Sequence, residues 1–285
     1  MSNINGGLVM LAAMMSKLPP SERKIAAYII ENPQEAIQLT ASDLGKKSNT
    51  SSAAVIRLCK SLDLKGFQDL KLRIAGDLQK SDDIGFRDIE PRESEFSIIQ
   101  KITNNSIQTI KETSELISTV ELSKAVELIK KCRNIHFFGV GASGIIAKDA
   151  QQKFLRINKS ATAFNDIHMV TTIVANAQSD DVVFGISFSG TTNEVAKVLE
   201  LANKKGVPTI SLTRYGTSIV NEQASIRLYT AITKEAIFRS GATSSRLAQL
   251  HIIDILFMCV AAQQYDETVK YIDQTKEAIE FIKEK

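Results

Sequence analysis

The chain has 285 residues, 44% of them hydrophobic, and a net charge of +3, which suits one large or two ordinary domains with proper cores. It contains no run of about 18 apolar residues and no basic-then-apolar start of the kind a secretory signal shows, so no spanning helix and a cytoplasmic location are expected. Cys59, Cys132 and Cys259 are scattered and odd in number, and His136, His168 and His251 fall in no metal-ligand spacing. Buried free thiols are expected, with no disulfide, metal or cofactor.

The charge is uneven. Residues 1–80 carry 11 Lys/Arg against 7 Asp/Glu, an excess of four, whereas the remaining 205 residues carry 24 against 25. A basic N-terminal quarter is compatible with nucleic-acid binding there. Leu18 to Glu22 reads as a turn and a helix start. The helix is expected from about Ser21 to Glu31, with Ile25, Ala26, Ile29 and Ile30 as its inner stripe, and Asn32-Pro33 ends it. A short helix follows from about Ala41, capped by Thr40 or Ser42, with Leu44 inward. After the turn Lys47-Ser48-Asn49, a third helix starts at Thr50 or Ser51 and runs to about Leu62, with Val55, Leu58 and Cys59 inside. A fourth spans about Phe67 to Leu78.

Short helix, tight turn, helix is the helix-turn-helix pattern. Its reading helix should expose small polar and basic residues, here Ser51, Ser52, Ala54, Arg57 and Lys60. Small side chains admit the helix to a major groove, and Arg57 can read a guanine or clamp a phosphate. The competing reading is an ordinary helical bundle with a solvated polar face. For Lys46, Lys47, Lys65 and Lys71, solvated surface is the default role of any single lysine.

Residues 81–120 form the expected connector: a polar stretch from Ser81 to Ser94, then an amphipathic helix from Phe96 with Ile98, Ile102, Ile107 and Ile110. Residues 121–285 form the second domain. After a helix from Leu122 to Cys132, strands are expected at Asn134–Phe138, Ser160–Phe164, Val182–Ser187, Pro208–Thr213 and Arg227–Thr230, alternating with helices. That alternation implies a doubly wound parallel sheet. A long apolar pattern from Ser244 to Ala262 is core or dimer helix.

Two loops carry the chemistry. The third strand breaks into Ser187-Phe188-Ser189-Gly190-Thr191-Thr192 before a helix, and a hydroxyl-rich turn at a helix N-terminus is suited to a phosphate. The bland alternative is that Thr191 or Thr192 caps the helix. The first strand runs into Gly139-Val140-Gly141-Ala142-Ser143-Gly144, which satisfies G-x-G-x-x-G, with Asp166 lying 22 residues past Gly144, a nominal dinucleotide fingerprint. The dinucleotide reading leaves the second loop without a role. If the first and third strands are neighbours, Ser143 and residues 187–192 converge where a compact phosphorylated molecule would sit.

The Gly-x-Gly-x-Ser and Ser-x-Ser-Gly-x-Thr loops resemble those of the sugar isomerase (SIS) domain. Over nearly its full length the chain resembles the RpiR family of bacterial regulators, in Pro20 to Ala26, in Val55 to Lys60 through Gly66-Phe67, and in Glu235 to Gln249. Within that family it looks most like the MurR type, which senses N-acetylmuramic acid 6-phosphate. The resemblance implies an all-α helix-turn-helix domain followed by an α/β SIS domain with a five-stranded parallel sheet. It implies Ser143, Ser187, Ser189 and Thr192 as phosphate-facing, Glu235 in the segment that approaches the sugar, and Arg239 either there or across a subunit contact. It further implies operator DNA and a phosphosugar effector as partners, a homodimer or homotetramer with no membrane association, and a repressor rather than an enzyme. The alternative is an SIS-type isomerase or etherase with Glu235 as its base.

Overall fold

The computed structural model describes residues 6–78, 92–232 and 243–283. It divides into two compact units, one running through Leu116 and the other beginning at Ile117, with residues 231 and 232 grouped with the first. Most of the polar stretch from Ser81 to Ser94, together with Glu235 and Arg239, lies outside the described residues.

The first unit is helical: α1 (Gly7–Met14), α2 (Pro20–Glu31), α3 (Pro33–Ala36), α4 (Ala41–Lys47), α5 (Ser52–Ser61), α6 (Phe67–Leu78) and α7 (Glu95–Leu116). Its core gathers Leu11, Leu18, Ile25, Ile29, Leu44 and Leu58. The expected stripe of α2 holds at Ile25, Ala26 and Ile29, but Ile30 lies on the outer face, 37% exposed. Pro33 stops α2 and at once occupies the first position of α3, where a missing N–H costs nothing.

Helix α1 has no counterpart among the sequence expectations. Its residues are apolar all round and present no polar face from which a period could be read. Asp77 of α6 fixes its start, accepting from the N–H groups of Gly6 at 2.6 Å and Leu8 at 2.8 Å. A Cβ at Gly7 would lie 2.9 Å from the Ile74 nitrogen, so glycine permits the close crossing.

The second unit runs α8 (Thr119–Lys131), β1 (Asn134–Gly139), α9 (Ala142–Leu155), β2 (Ser160–Phe164), α10 (Ile167–Asn176), β3 (Val182–Ile186), α11 (Asn193–Lys204), β4 (Thr209–Arg214), β5 (Ile226–Thr230), α12 (Ser244–Gln263) and α13 (Tyr265–Lys283). All five expected strands form. They make one parallel sheet in the order β2-β1-β3-β4-β5. On one face α8, α9 and α12 bury Val126, Ile146, Phe154 and Leu256 against Phe137 and Phe184. On the other, α10 and α11 bury Val170, Val174, Val195 and Leu199. The sheet is therefore doubly wound, with a switch point between β1 and β3. This order is flavodoxin-like and differs from the 3-2-1-4-5-6 order of dinucleotide-binding sheets.

Helix α12 is long and apolar enough to cross a membrane by length and composition. Its Ile252, Ile253, Leu256 and Val260 instead fill the core beneath the sheet, and Arg246, His251 and Asp254 interrupt its apolar surface. Lys153 of α9 pins it through Asp254 at 2.8 Å.

The N-terminal edge of the sheet is held by Asp181, only 1% exposed. Burial acts to raise its pKa. Hydrogen bonds from the Arg133 guanidinium, the Gln178 N–H and the Asn134 amide outweigh that and hold it at about 2. Close by, burial pulls His136 below the usual imidazole range, and its Nδ1 lies 2.9 Å from Thr162 Oγ1 on the neighbouring strand.

Candidate ligand site and nucleic-acid interface

In the first unit, α4 and α5 meet through Gly45, where a Cβ would fall 2.7 Å from the Ser51 carbonyl carbon. Asn49, with φ 50°, makes the turn between them. Thr40 caps α4 through the Asp43 N–H, and Ser51 caps α5 through the Ala54 N–H. Ser51, Ser52, Arg57 and Lys60 all lie on the exposed face of α5. Ala54 does not. It is 1% exposed and belongs to the inner stripe with Val55, Leu58 and Cys59. The spacing carries the reason: residue 54 stands one turn before Leu58, on the same face. Ala53 and Ile56 take its place outside.

Arg57 reaches toward Glu22 of α2, Nε to Oε1 3.8 Å. Glu22 is buried and also accepts from Ser61 Oγ at 2.7 Å, so a carboxylate under α5 orients its arginine. Of the four lysines, Lys47 pairs with Glu35 at 2.9 Å and Lys71 donates to the Leu39 carbonyl at 3.1 Å. Lys46 and Lys65 are exposed. Burial pushes the Cys59 and Cys132 thiols up to about 11, which leaves both protonated and unreactive near neutral pH.

In the second unit, β1 and β3 are neighbours, and Gly139 pairs with Ile186 at their C-terminal ends. The loops that follow open α9 and α11. The β1–α9 turn is glycine-dependent: Gly141 has φ 60°, and a Cβ at Gly139 would fall 2.6 Å from the Ser143 carbonyl oxygen. In the β3–α11 loop, Gly190 has φ 70° and donates to the Ser187 carbonyl at 3.0 Å.

The helix starts differ in how they are closed. Ser118 caps α8, and Asp166 caps α10 by accepting from the N–H groups of His168 and Met169. No side chain caps α9 or α11. Thr192 occupies the cap position of α11, but its hydroxyl pairs with Ser187 Oγ at 2.7 Å. The capping alternative therefore fails at this loop. The first-turn N–H groups of both helices point out of the switch point without a side-chain acceptor.

Several of the hydroxyls keep a proton to donate. Ser189 Oγ accepts from the Thr191 N–H at 3.2 Å and from Thr191 Oγ1 at 2.9 Å, leaving its own proton free. Ser143 Oγ is instead engaged by Gln249 of α12, accepting from Nε2 at 3.2 Å and donating to Oε1 at 3.5 Å. The Ser187–Thr192 pair uses one proton between its two oxygens and keeps the other. Uncapped helix starts with outward O–H groups form a cradle for an anion. Ser143, Ser187, Ser189 and Thr192 are brought to this edge. Gln249 was named in the sequence only as the end of a family-like stretch, and its pairing with a serine 106 positions away has no local signal.

Comparison with known proteins places both modules. The chain matches the SIS domain over residues 128–259 and the helix-turn-helix domain of the rpiR family over residues 5–81. It is 28% identical over 272 residues to the HTH-type transcriptional regulator HexR of Pseudomonas aeruginosa, covering 95% of each chain. Among solved structures it resembles the Vibrio vulnificus NanR protein complexed with ManNAc-6P, at 27% identity and a TM-score of 0.61, over 96% of this chain and 98% of that one. It is 54% identical over 275 residues to the HTH-type transcriptional regulator YbbH of Bacillus subtilis (strain 168), covering 96% of this chain and 97% of that one. With such identity sustained across both modules, the chain belongs to the RpiR family of HTH-type transcriptional regulators.

Proposed function

We propose that the chain is an operator-binding repressor of amino-sugar metabolism whose effector is a hexosamine phosphate of the N-acetylmuramic acid 6-phosphate type. Residues 1–80 read DNA, 81–120 connect, and 121–285 hold the effector. The observation that carries this is the pair of uncapped helix starts, α9 and α11, at the β1/β3 switch point. Ser143, Ser187, Ser189 and Thr192 add hydroxyls at that edge, and a phosphate is the group this set fits. The ManNAc-6P held by NanR supports the same ligand class. Ser51, Ser52, Arg57 and Lys60 are the DNA-facing residues, in a homodimer or homotetramer that reads two half-sites in the cytoplasm. Effector binding shifts the population between a DNA-competent and a DNA-incompetent arrangement, and DNA alters effector affinity by the same factor. The protein acts as a regulator and turns nothing over.

Thermal unfolding of the full chain against a panel of sugar phosphates tests this, because a ligand of the native state raises its midpoint by mass action. N-acetylmuramic acid 6-phosphate should raise it, and the variant Ser187→Ala with Ser189→Ala should lose that response yet still bind operator. A normal response in the double variant refutes the site. Conversion of any sugar phosphate to product would mark the isomerase or etherase instead.

A further inference from the structure

A second polar group stands on the same sheet edge, apart from the hydroxyl loops. Arg214 is the last residue of β4 and Thr230 the last of β5, and the two are register partners. By strand alternation both lie on the face of Ile210, Leu212, Ile226 and Leu228, which is the face that carries α9 and α12. Ser143 and Gln249 approach the edge from that side. The Arg214 backbone N–H donates to the Phe188 carbonyl at 2.9 Å, which ties the end of β4 to the loop of Ser187 and Ser189.

Among the described residues, the buried Nε of Arg214 and the buried Oγ1 of Thr230 have no hydrogen-bond partner. Thr230 is fully buried. Ser211 Oγ is also unpartnered, but it lies on the opposite face of β4 and belongs to another environment. A desolvated guanidinium N–H beside a desolvated hydroxyl is costly unless something accepts from both. The acceptor that matches a guanidinium best is a carboxylate or another planar anion. β4 lies one strand spacing, about 5 Å, beyond β3. A sugar whose phosphate sits at the β1/β3 switch point would extend its far end toward that strand.

We infer that Arg214, assisted by Thr230, receives a second anionic group of the effector, a carboxylate, so that the site selects a phosphosugar carrying two anions. This rests on the phosphosugar reading of the switch point. Phosphate affinity then comes from the hydroxyl loops, and discrimination among phosphosugars comes from β4.

Calorimetric titration of the full chain with two probes separates the two ideas. N-acetylmuramic acid 6-phosphate carries the carboxylate, and N-acetylglucosamine 6-phosphate lacks it. The wild type should bind the first at least about tenfold more tightly. Arg214→Gln should weaken the first roughly 10- to 100-fold and leave the second within about threefold. Arg214→Lys should recover part of the loss, since it keeps the charge without the fork. Thr230→Val, which keeps the shape, should weaken only the carboxylate-bearing probe. Equal loss of both probes in Arg214→Gln, or loss of neither, overturns the inference. Wild-type protein that binds neither probe overturns the phosphosugar reading itself. Loss of both probes on Ser187→Ala with Ser189→Ala upholds that reading whatever Arg214 does.

Discussion

The two edges of the sheet are built to opposite rules. At the N-terminal edge, Asp181 is nearly inaccessible and fully engaged by Arg133, Asn134 and the Gln178 backbone. At the C-terminal edge, among the described residues, two helix starts lack side-chain caps, Ser189 and the Ser187–Thr192 pair keep protons to donate, and a guanidinium nitrogen is buried without an acceptor. The first edge closes its polar groups upon one another and so holds the fold. The second leaves donors unanswered, which a folding argument alone would not favour. Unanswered donors gathered at one edge suit an anion.

The largest effect should come from breaking the closed edge. Asp181→Ala removes the acceptor of three donors and should cost about 3 kcal/mol of stability, read by chemical denaturation, with the effector response kept in the folded fraction. The pH dependence follows the same carboxyl. Its pKa is about 2 in the folded chain against about 3.9 for a free aspartate. Its stabilisation is therefore fully present above about pH 4 and is lost as pH falls through 2. Asp181→Asn should flatten that part of an acid-unfolding profile.

Next comes Gly190→Ala. It puts a side chain at φ 70° and into collision with Ser218 Oγ. It should cost about 1–3 kcal/mol and abolish the effector-induced thermal shift, since it deforms the loop of Ser187 and Ser189. A preserved shift would detach that loop from the ligand.

The smallest effect sharpens the contrast within the C-terminal edge itself. Asp166→Ala removes a working cap from α10 and should cost about 1 kcal/mol. Thr192→Val alters a cap position that caps nothing, and should change stability by no more than about 0.5 kcal/mol while weakening effector binding. Equal stability losses in the two variants would show that Thr192 serves the fold after all.

What the sequence displayed and what it concealed divide along similar lines. β1 and β3 were legible as short, nearly continuous apolar runs between turn residues, whereas β2, β4 and β5 interleave Ser, Thr or Arg with apolar residues and were legible from their alternation with helices. Both glycine-hydroxyl loops were legible from local sequence as well. Helix α1 was not, because a segment that is apolar on every side has no period. Ile30 and Ala54 were assigned to the wrong faces of helices whose existence was correct. A rotation of about 100°, one residue's step along a helix, separates inside from outside, and alanine is indifferent to either. Arg214 and Gln249 were invisible as site residues, since what marks them is a register partner or a hydroxyl far along the chain. The resemblance supplied Glu235, which lies outside the described residues.

The division of labour on α5 has a use beyond explanation. Ala54, Val55, Leu58 and Cys59 are the buried face of the helix, whereas Ser52, Ala53, Ile56 and Lys60 are exposed. Those four positions form a cassette. On the proposed DNA-reading role of α5, rewriting the cassette with Ser51 retained to start the helix and Glu22 retained to aim Arg57 should retarget the protein to a new operator. The proposed effector-binding half of the chain would then serve as an interchangeable input.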